Sequence, residues 1–264
     1  MSSETESFIE LQSVTVRAQE HISLDRVSVR FPPNRSTLIM GPSGSGKSML
    51  LKVAAAIFPP DSGRVLLHGN NAQRMSQSEM MAFRRSSGFM FQDAALWENK
   101  TIFENLALPI QLHFPGRSRK QIEERVGELL ERMNLLDSLT LRPAELSEGE
   151  QKIASFLRAI VLNPSILFLD EPTPSIDHQL LERMLGMLRN MKDNGCTIIA
   201  VTHDAHLTAA IANHIVVVKE GRVLEAADAA RVRHSSDREV IQIISEVLSE
   251  AATYDTDILD LLEE

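Results

Sequence analysis

The run Gly41, Pro42, Ser43, Gly44, Ser45, Gly46, Lys47 and Ser48 most constrains what this chain can fold into. It fits the pattern G-x-x-x-x-G-K-[ST], follows apolar and β-branched residues over 27–40, and precedes a predicted helix over 49–58. Glycines let the backbone turn with its N–H groups inward, and the helix that follows adds its positive N-terminal end. Lys47 is spaced to reach the β- and γ-phosphates of a nucleotide, and Ser48 to hold Mg²⁺. The run predicts a phosphate-binding loop. The alternative is a plain Gly/Ser turn, which the rest of the chain has to exclude.

Size and charge narrow the class of protein. A length of 264 residues suits one large α/β domain or two small ones. The net charge of −9 argues against a nucleic-acid binder, since such proteins usually present a basic surface. The single cysteine, Cys196, lies in an apolar run, so we expect a packed thiol. The N-terminus does not resemble a signal peptide, and no apolar run approaches the length of a membrane span. We therefore expect a soluble, cytoplasmic protein.

The order of the predicted elements favours an α/β fold with a parallel, doubly wound sheet. Strands are predicted over 8–16, 22–31, 35–40, 64–68, 87–92, 166–171, 196–202, 215–218 and 222–224, with helices between many of them. From residue 93 to residue 144, apolar residues recur at helical spacing among dense charges. This pattern predicts a helical insertion in the α/β domain, and Pro109 and Pro115 are expected to break its first half.

The C-terminal part predicts one further helix and an acidic tail. Ser236 and Glu239 have the spacing of a capping box. The apolar stripe that follows consists of Val240, Ile241, Ile243, Ile244, Val247 and Leu248. We expect this helix to pack on the rest of the chain. Residues 255–262 keep an apolar helical face within a strongly acidic tail, which is either a frayed end or a helix that docks on a partner.

Acidic and polar residues at the ends of predicted strands and helices suggest catalytic or binding roles beside the phosphate-binding loop. Asp170 and Glu171 end a wholly apolar run, and the carboxyl end of a central strand lies near such a loop in an open α/β sheet. Asp170 would act on Mg²⁺, and Glu171 would polarise an attacking water. Ser147 and Gly149 open a predicted helix, which offers either a second anion site or only an N-cap.

Taken together, the motifs resemble the ATP-binding cassette (ABC) ATPase family, and the resemblance covers the chain up to about Leu224. The Walker A motif is 41–48, the Q-loop 91–93, the signature 146–151 and the Walker B motif 166–171; the D-loop ends at Asp177, and the switch histidine is His203. The resemblance implies a P-loop NTPase fold with a RecA-like parallel core, an antiparallel β subdomain and a helical subdomain at about 93–163. It also implies an ABC ATPase domain over 1–225 and a C-terminal helical extension with an acidic tail over 226–264.

The resemblance also implies roles for individual residues. Two cassettes would stack head to tail, so that Ser147, Gly149 and the D-loop residue Asp177 contact nucleotide across a dimer. Gln92 would sense Mg²⁺ and the attacking water and would couple to a membrane partner. His203 would hold the γ-phosphate and Glu171. The implied cofactors are ATP and Mg²⁺, the latter held by Ser48, Gln92 and Asp170.

The sequence departs from the family pattern at three places. Glu148 stands where glycine is usual, which adds a negative charge near the triphosphate unless the side chain points to solvent. Met49 follows Ser48 where threonine is usual, although it stays within the predicted nucleotide-binding set. No aromatic residue occupies the region expected to stack on adenine, so Arg17 or His21 would have to do so.

Two kinds of function fit these motifs. Residues 91–97, 101–109 and 237–242 look like the ATPases of Mla/Mce-type lipid transporters. That resemblance implies a homodimer on the cytoplasmic face of the inner membrane, a separate integral membrane permease, a lipid cargo, an Mce-type substrate-binding protein and a small regulatory subunit. The alternative is a soluble ABC switch ATPase in DNA repair, chromosome structure or translation. The acidic charge and the lack of long coiled coils favour transport without nucleic acid.

Overall fold

The computed structural model describes residues 9–18 and 21–252 of the chain. Within them, ten strands form two sheets. The strands are β1 (Ile9–Ala18), β2 (His21–Phe31), β3 (Ser36–Met40), β4 (Ser62–Leu67), β5 (Asn70–Asn71), β6 (Ser87–Met90), β7 (Ile166–Asp170), β8 (Thr197–Val201), β9 (His214–Lys219) and β10 (Arg222–Asp228).

The larger sheet carries the predicted parallel core. Its order is β10-β9-β3-β8-β7-β6, and all neighbours are parallel except β10, which pairs antiparallel with β9. All five residues are buried in each of β3, β7 and β8, as expected for strands covered on both faces. The smaller sheet, β2-β1-β4-β5, is antiparallel throughout. The predicted combination of a parallel core with an antiparallel sheet is therefore confirmed.

The helices pack around these sheets, and α3 and α4 lie in the segment where a helical insertion was predicted. They are α1 (Lys47–Ala54), α2 (Gln77–Ser86), α3 (Ile102–His113), α4 (Arg119–Arg132), α5 (Glu148–Ile160), α6 (His178–Asp193), α7 (Ala205–Ile211), α8 (Ala229–Arg233) and α9 (Arg238–Ala252). Capping boxes fix the starts of α2, α3, α4 and α5, because the N-cap hydroxyl and the N3 side chain satisfy each other's backbone N–H. No helix within the described ranges is long and apolar enough to cross a membrane.

Two local predictions were wrong. Pro109 lies inside α3 and does not break it: the proline removes one backbone donor, but burial of Leu106 and Ile110 on either side holds the helix. Only Pro115 lies beyond the helix end. Ser236 does not cap α9.

The residue that acts at the start of α9 is Asp237. Its carboxylate accepts the Glu239 N–H at 2.8 Å, while the Glu239 side chain pairs with Lys219 of β9. Val240, Ile243 and Ile244 are buried as predicted, but Ile241 is 40% exposed. The side chains of Val247 and Leu248, and the tail from Thr253 onward, lie outside the described residues. The division of the chain at residue 225 stays a prediction.

Candidate nucleotide site

A cavity of about 1090 Å³ lies beside the carboxyl ends of the parallel strands. The whole predicted loop from Gly41 to Met49 lines it, together with Gln92, Glu171 and His203. These segments directly follow β3, β6, β7 and β8, so the parallel topology brings them to one edge of the sheet. The volume is slightly above the usual range for small-molecule sites, roughly 300–1,000 Å³.

The loop that follows β3 is held in a shape that suits an anion. Gly46 precedes α1 with φ of +100°, and a Cβ there would lie 2.4 Å from the Ser23 carbonyl oxygen, so only glycine fits. The buried Lys47 side chain donates from Nζ to the carbonyl oxygens of Gly41 and Pro42, both at 2.8 Å. Burial lowers the pKa of the Lys47 ammonium, whereas Glu171 and Asp170 oppose that shift. The loop therefore holds a largely buried cation at the N-terminus of α1.

Asp170 and Ser48 meet on one side of this cavity. The Ser48 hydroxyl donates to Oδ1 of Asp170 at 2.7 Å. Asp170 is fully buried at the end of β7, and its Oδ2 has no hydrogen-bond partner within the described part of the chain. A buried carboxylate oxygen left unpaired is costly unless a ligand completes it, so this pair is a candidate cation site.

Glu171 and His203 form a second polar pair at the mouth of the cavity. Nε2 of His203 lies 3.4 Å from Oε1 of Glu171. Burial raises the pKa of the Glu171 carboxyl, and the nearby Asp170 carboxylate raises it further. The Lys47 ammonium and a backbone hydrogen bond from His203 oppose this rise. The arrangement offers a carboxylate of raised basicity next to an imidazole.

Three predicted site residues lie away from this cavity. Ser147 is the exposed N-cap of α5 and exchanges hydrogen bonds with Glu150. Gly149 is buried against the loop after β7, where a Cβ would lie 2.4 Å from the Ser175 carbonyl oxygen. Asp177 is exposed and caps α6 by accepting the N–H groups of Gln179 and Leu180. The side chain of Glu148 is exposed.

The cavity also has walls that were not predicted from the sequence. Ile22 and Ser23 of β2, Pro174, and Ile243 and Glu246 of α9 line it. Ile22 is 52% exposed, an apolar surface near the loop, whereas Arg17 does not line the cavity. The side chain of His21 lies outside the described residues. Only the apolar stripe of α9 signalled any packing of that helix, and nothing in it indicated where the helix would dock.

Comparison with known proteins shows which family this chain belongs to. A sequence model of the family described as ABC transporter matches residues 24–174, more than half of the chain. The chain belongs to the ABC transporter ATPase family. An uncharacterized ABC transporter ATP-binding protein of Methanocaldococcus jannaschii is 36% identical over 205 residues, which cover 77% of this chain and 90% of the relative.

Other ABC relatives are longer than this chain. A methionine import ATP-binding protein of Carboxydothermus hydrogenoformans is 36% identical over 77% of this chain and 60% of its own length. An Fe(3+) ions import ATP-binding protein of Streptomyces coelicolor is 36% identical over 83% of this chain and 62% of its own length. The chain thus matches about three fifths of these two relatives. The matches support the ABC family and not the Mla/Mce-type subgroup, and they do not favour the switch ATPase alternative.

Solved ABC cassettes share the fold. A dimeric bacterial ABC transporter cassette superposes with a TM-score of 0.78 at 28% identity, covering 83% of this chain and 98% of the cassette. A dimeric cassette in a post-hydrolysis state bound to ADP and phosphate gives a TM-score of 0.77 at the same identity and coverage. The predicted P-loop fold of the ABC type is confirmed.

Proposed function

We propose that this chain is the ATP-hydrolysing subunit of a membrane transporter and drives a separate permease. One observation carries the proposal: a single cavity gathers the phosphate-binding loop, Gln92, Glu171 and His203, with the Ser48–Asp170 pair on its side. The ATP-binding cassettes and transporter subunits among its relatives support the same function.

The loop from Gly41 to Ser48 would bind the phosphates. Its N–H groups and the N-terminus of α1 favour anionic oxygens. Lys47 donates to two loop carbonyls in the structure, and we expect its ammonium to turn from them to the phosphate oxygens of bound ATP, which are stronger acceptors. Ile22 would offer an apolar surface to the base.

The Ser48–Asp170 pair fits Mg²⁺. A hydroxyl and a carboxylate are hard oxygen ligands, Gln92 lines the same cavity, and the unpaired Oδ2 of Asp170 needs a partner. Within the described ranges no group of three or more His, Cys, Asp or Glu could hold a metal, so a cation there would also need water and phosphate oxygens. When bound, the ion would neutralise charge that develops on the phosphates.

Glu171 would accept the proton of the attacking water. Its raised pKa makes it a better base than an ordinary glutamate at neutral pH. His203, 3.4 Å away, would orient that carboxylate and contribute a donor toward the γ-phosphate.

We further propose that the active form is a head-to-tail homodimer. Ser147 and Asp177 are exposed and lie outside their own chain's cavity, where they can reach the nucleotide of a second copy. A solved cassette of the same fold is described as dimeric in two structures. The exposed Glu148 would then add negative charge beside the partner's γ-phosphate and slow closure.

A groove beside Gln92 would receive a segment of the permease. It measures about 330 Å³ and is lined by Phe89, Phe91, Trp97 and Arg158, among others. Arg158 holds the segment that follows β6 by donating to the carbonyl oxygens of Ala94 and Ala95. Its guanidinium lies 5.5 Å from the centre of the half-exposed Trp97 ring. Exposed aromatic and arginine side chains are typical of interface anchors. A permease seated here would place the chain at the cytoplasmic face of the membrane.

For the cargo we propose a lipid, which rests on the Mla/Mce-type sequence pattern alone. An Mce-type substrate-binding protein and a small regulatory subunit are parts of the same proposal. The relatives described above are named for import of methionine and iron, so the cargo has to be tested directly.

Co-purification from detergent-solubilised membranes of the source organism tests this function. We expect the wild-type chain to retain an integral membrane permease and to hydrolyse ATP in the complex. Trp97→Ala should reduce permease recovery roughly tenfold or more while nucleotide binding is kept. Leu112→Ala is the matched control, since Leu112 is 64% exposed on α3 and does not line the groove.

Recovery of nucleic acid in place of a permease would support the switch ATPase alternative. Equal permease recovery by the wild type and Trp97→Ala would remove the groove from the proposal. Lipids extracted from the purified complex would test the cargo, and their absence would contradict the lipid proposal.

A further inference from the structure

The backbone of Glu171 adopts a conformation that the rest of the molecule has to hold. Its φ is +45°, in the left-handed region that is uncommon for residues other than glycine, asparagine and aspartate. Such a conformation persists only where the surrounding structure fixes it, and it occurs often at active sites. The direction of the Glu171 carboxylate depends on this backbone, so whatever fixes the backbone also aims the carboxylate.

Two hydrogen bonds fix the main chain of Glu171 from opposite sides. Its N–H donates to the carbonyl oxygen of Val201 in β8 at 3.0 Å. Its carbonyl oxygen accepts a bond from Nζ of Lys152 at 3.0 Å. The first bond comes from the neighbouring strand, whereas the second comes from α5, on another part of the fold.

Lys152 is an unusual residue to find at such a place. It is only 5% exposed, although lysine is rarely buried without a partner. Burial lowers the pKa of its ammonium, and the surrounding carboxylates of Glu148, Glu171, Asp170 and Asp93 oppose that shift. A buried cation that donates to a strained main chain beside a catalytic carboxylate has a more specific use than packing.

We propose that Lys152 is a positioning residue for Glu171, whose carbonyl oxygen it holds so that the carboxylate stays against His203 in the cavity. This inference rests on the proposed ATPase function. A second contact supports it: Gly149, one turn earlier on α5, packs directly against Ser175 in the loop that follows Glu171. Helix α5 thus supports this loop at two points, and the same helix begins at Ser147. A shift of α5 when Ser147 meets a partner's nucleotide would reach Glu171 through Lys152.

Variants at position 152 separate a positioning role from a merely structural one. Lys152→Met keeps the length and apolar stem but removes the donor. Lys152→Gln keeps a donor without the charge, and Lys152→Arg keeps both. Lys120→Met is the matched control, because Lys120 is a solvent-exposed helix lysine whose ammonium lies 3.9 Å from Glu124 on the surface of α4.

Steady-state ATP hydrolysis of the full chain should show a split between kcat and KM. We expect Lys152→Met to lower kcat at least about tenfold with KM for ATP within twofold of wild type, since a small misplacement of a catalytic group has effects of this order. Lys152→Arg should recover most of the lost kcat, Lys152→Gln should fall between, and Lys120→Met should match wild type.

Hydrogen–deuterium exchange of the nucleotide-free chain gives a readout that does not need turnover. A peptide covering residues 166–176 should exchange faster in Lys152→Met than in wild type, because the Glu171 N–H bond to Val201 loosens. If Lys152→Met unfolds, the exchange of Lys152→Gln is compared with that of the wild type instead. Unchanged exchange with unchanged kcat would overturn the inference, and so would an equal loss in Lys152→Arg and Lys152→Met. A wild-type chain without ATPase activity would contradict the proposed function, whereas the exchange result would still decide the role of Lys152.

Discussion

The two neighbouring acids at the end of β7 differ in their surroundings, and this difference assigns them different chemistry. Asp170 is fully buried and bonded to the Ser48 hydroxyl, so it faces the candidate cation site. Glu171 is the first residue after the strand. Its carboxyl lies near His203 and has a raised pKa. Two carboxyl groups side by side can thus serve as cation ligand and proton acceptor because their environments differ.

Lys47→Ala should weaken ATP binding roughly ten- to hundredfold, because hydrogen bonds to charged groups contribute about 1.5–3 kcal/mol. Equilibrium binding of a fluorescent ATP analogue measures the change. Lys52→Ala is the control, since Lys52 lies on the same helix but not in the cavity. Equal affinity of wild type and Lys47→Ala would mean that the loop is not the phosphate site.

Local sequence patterns predict the loop, Asp170 and Glu171, whereas Gln92 and His203 were predicted only through the resemblance to the ABC family. The loop is a contiguous motif, and the other residues follow strands whose carboxyl ends share one edge of the sheet. Lys152 and Ile22 could not be identified in this way. Each reaches the site through tertiary packing, and neither is part of a sequence motif that predicts a ligand-binding or basic residue.

Helix α9 brings the C-terminal part of the chain to the candidate nucleotide site. The Lys219–Glu239 pair ties its first turn to β9, and Val240, Ile243 and Ile244 are buried. Ile243 and Glu246 then line the cavity with the phosphate-binding loop. A helix expected only to pack on the cassette therefore adds a carboxylate next to the place where a triphosphate would bind.

Glu246→Gln should strengthen ATP binding a few-fold at low salt, because it removes a like charge from the cavity, and the gain should shrink at high salt as the charges are screened. Titration with ATP at two salt concentrations measures this. Glu182→Gln serves as the control, since Glu182 is exposed on α6 and does not line the cavity. Weaker binding by Glu246→Gln would show instead that the carboxylate supports the site.

At the scale of elements, apolar runs predicted the strands of the parallel core, whereas the one capping box predicted from the sequence, at Ser236 and Glu239, was wrong. Burial overrode the local rule at Pro109, where a helix with a well-packed face absorbs the loss of one donor. At α9 the cap is Asp237, one residue after the predicted Ser236, and the Glu239 side chain pairs with Lys219. Such choices depend on partners distant in sequence, which local patterns do not contain.

As a whole molecule, the chain carries two separate sets of residues that were predicted to contact nucleotide. Its cavity holds the P-loop side of a nucleotide site, while Ser147, Gly149 and Asp177 lie outside that cavity. The groove at Trp97 offers a surface for another chain. The proposed head-to-tail dimer therefore requires that ATP join two copies and that hydrolysis release them.

Sedimentation velocity combined with phosphate release on the Glu171→Gln variant tests this requirement most directly. We predict that the wild type releases phosphate from ATP, that Glu171→Gln lowers the rate about 100-fold or more, and that Glu171→Gln sediments as a dimer with ATP and as a monomer with ADP. Glu131→Gln, an exposed change on α4, should behave as wild type. Turnover by Glu171→Gln at the wild-type rate, or a Glu171→Gln chain that stays monomeric at saturating ATP, would contradict the account.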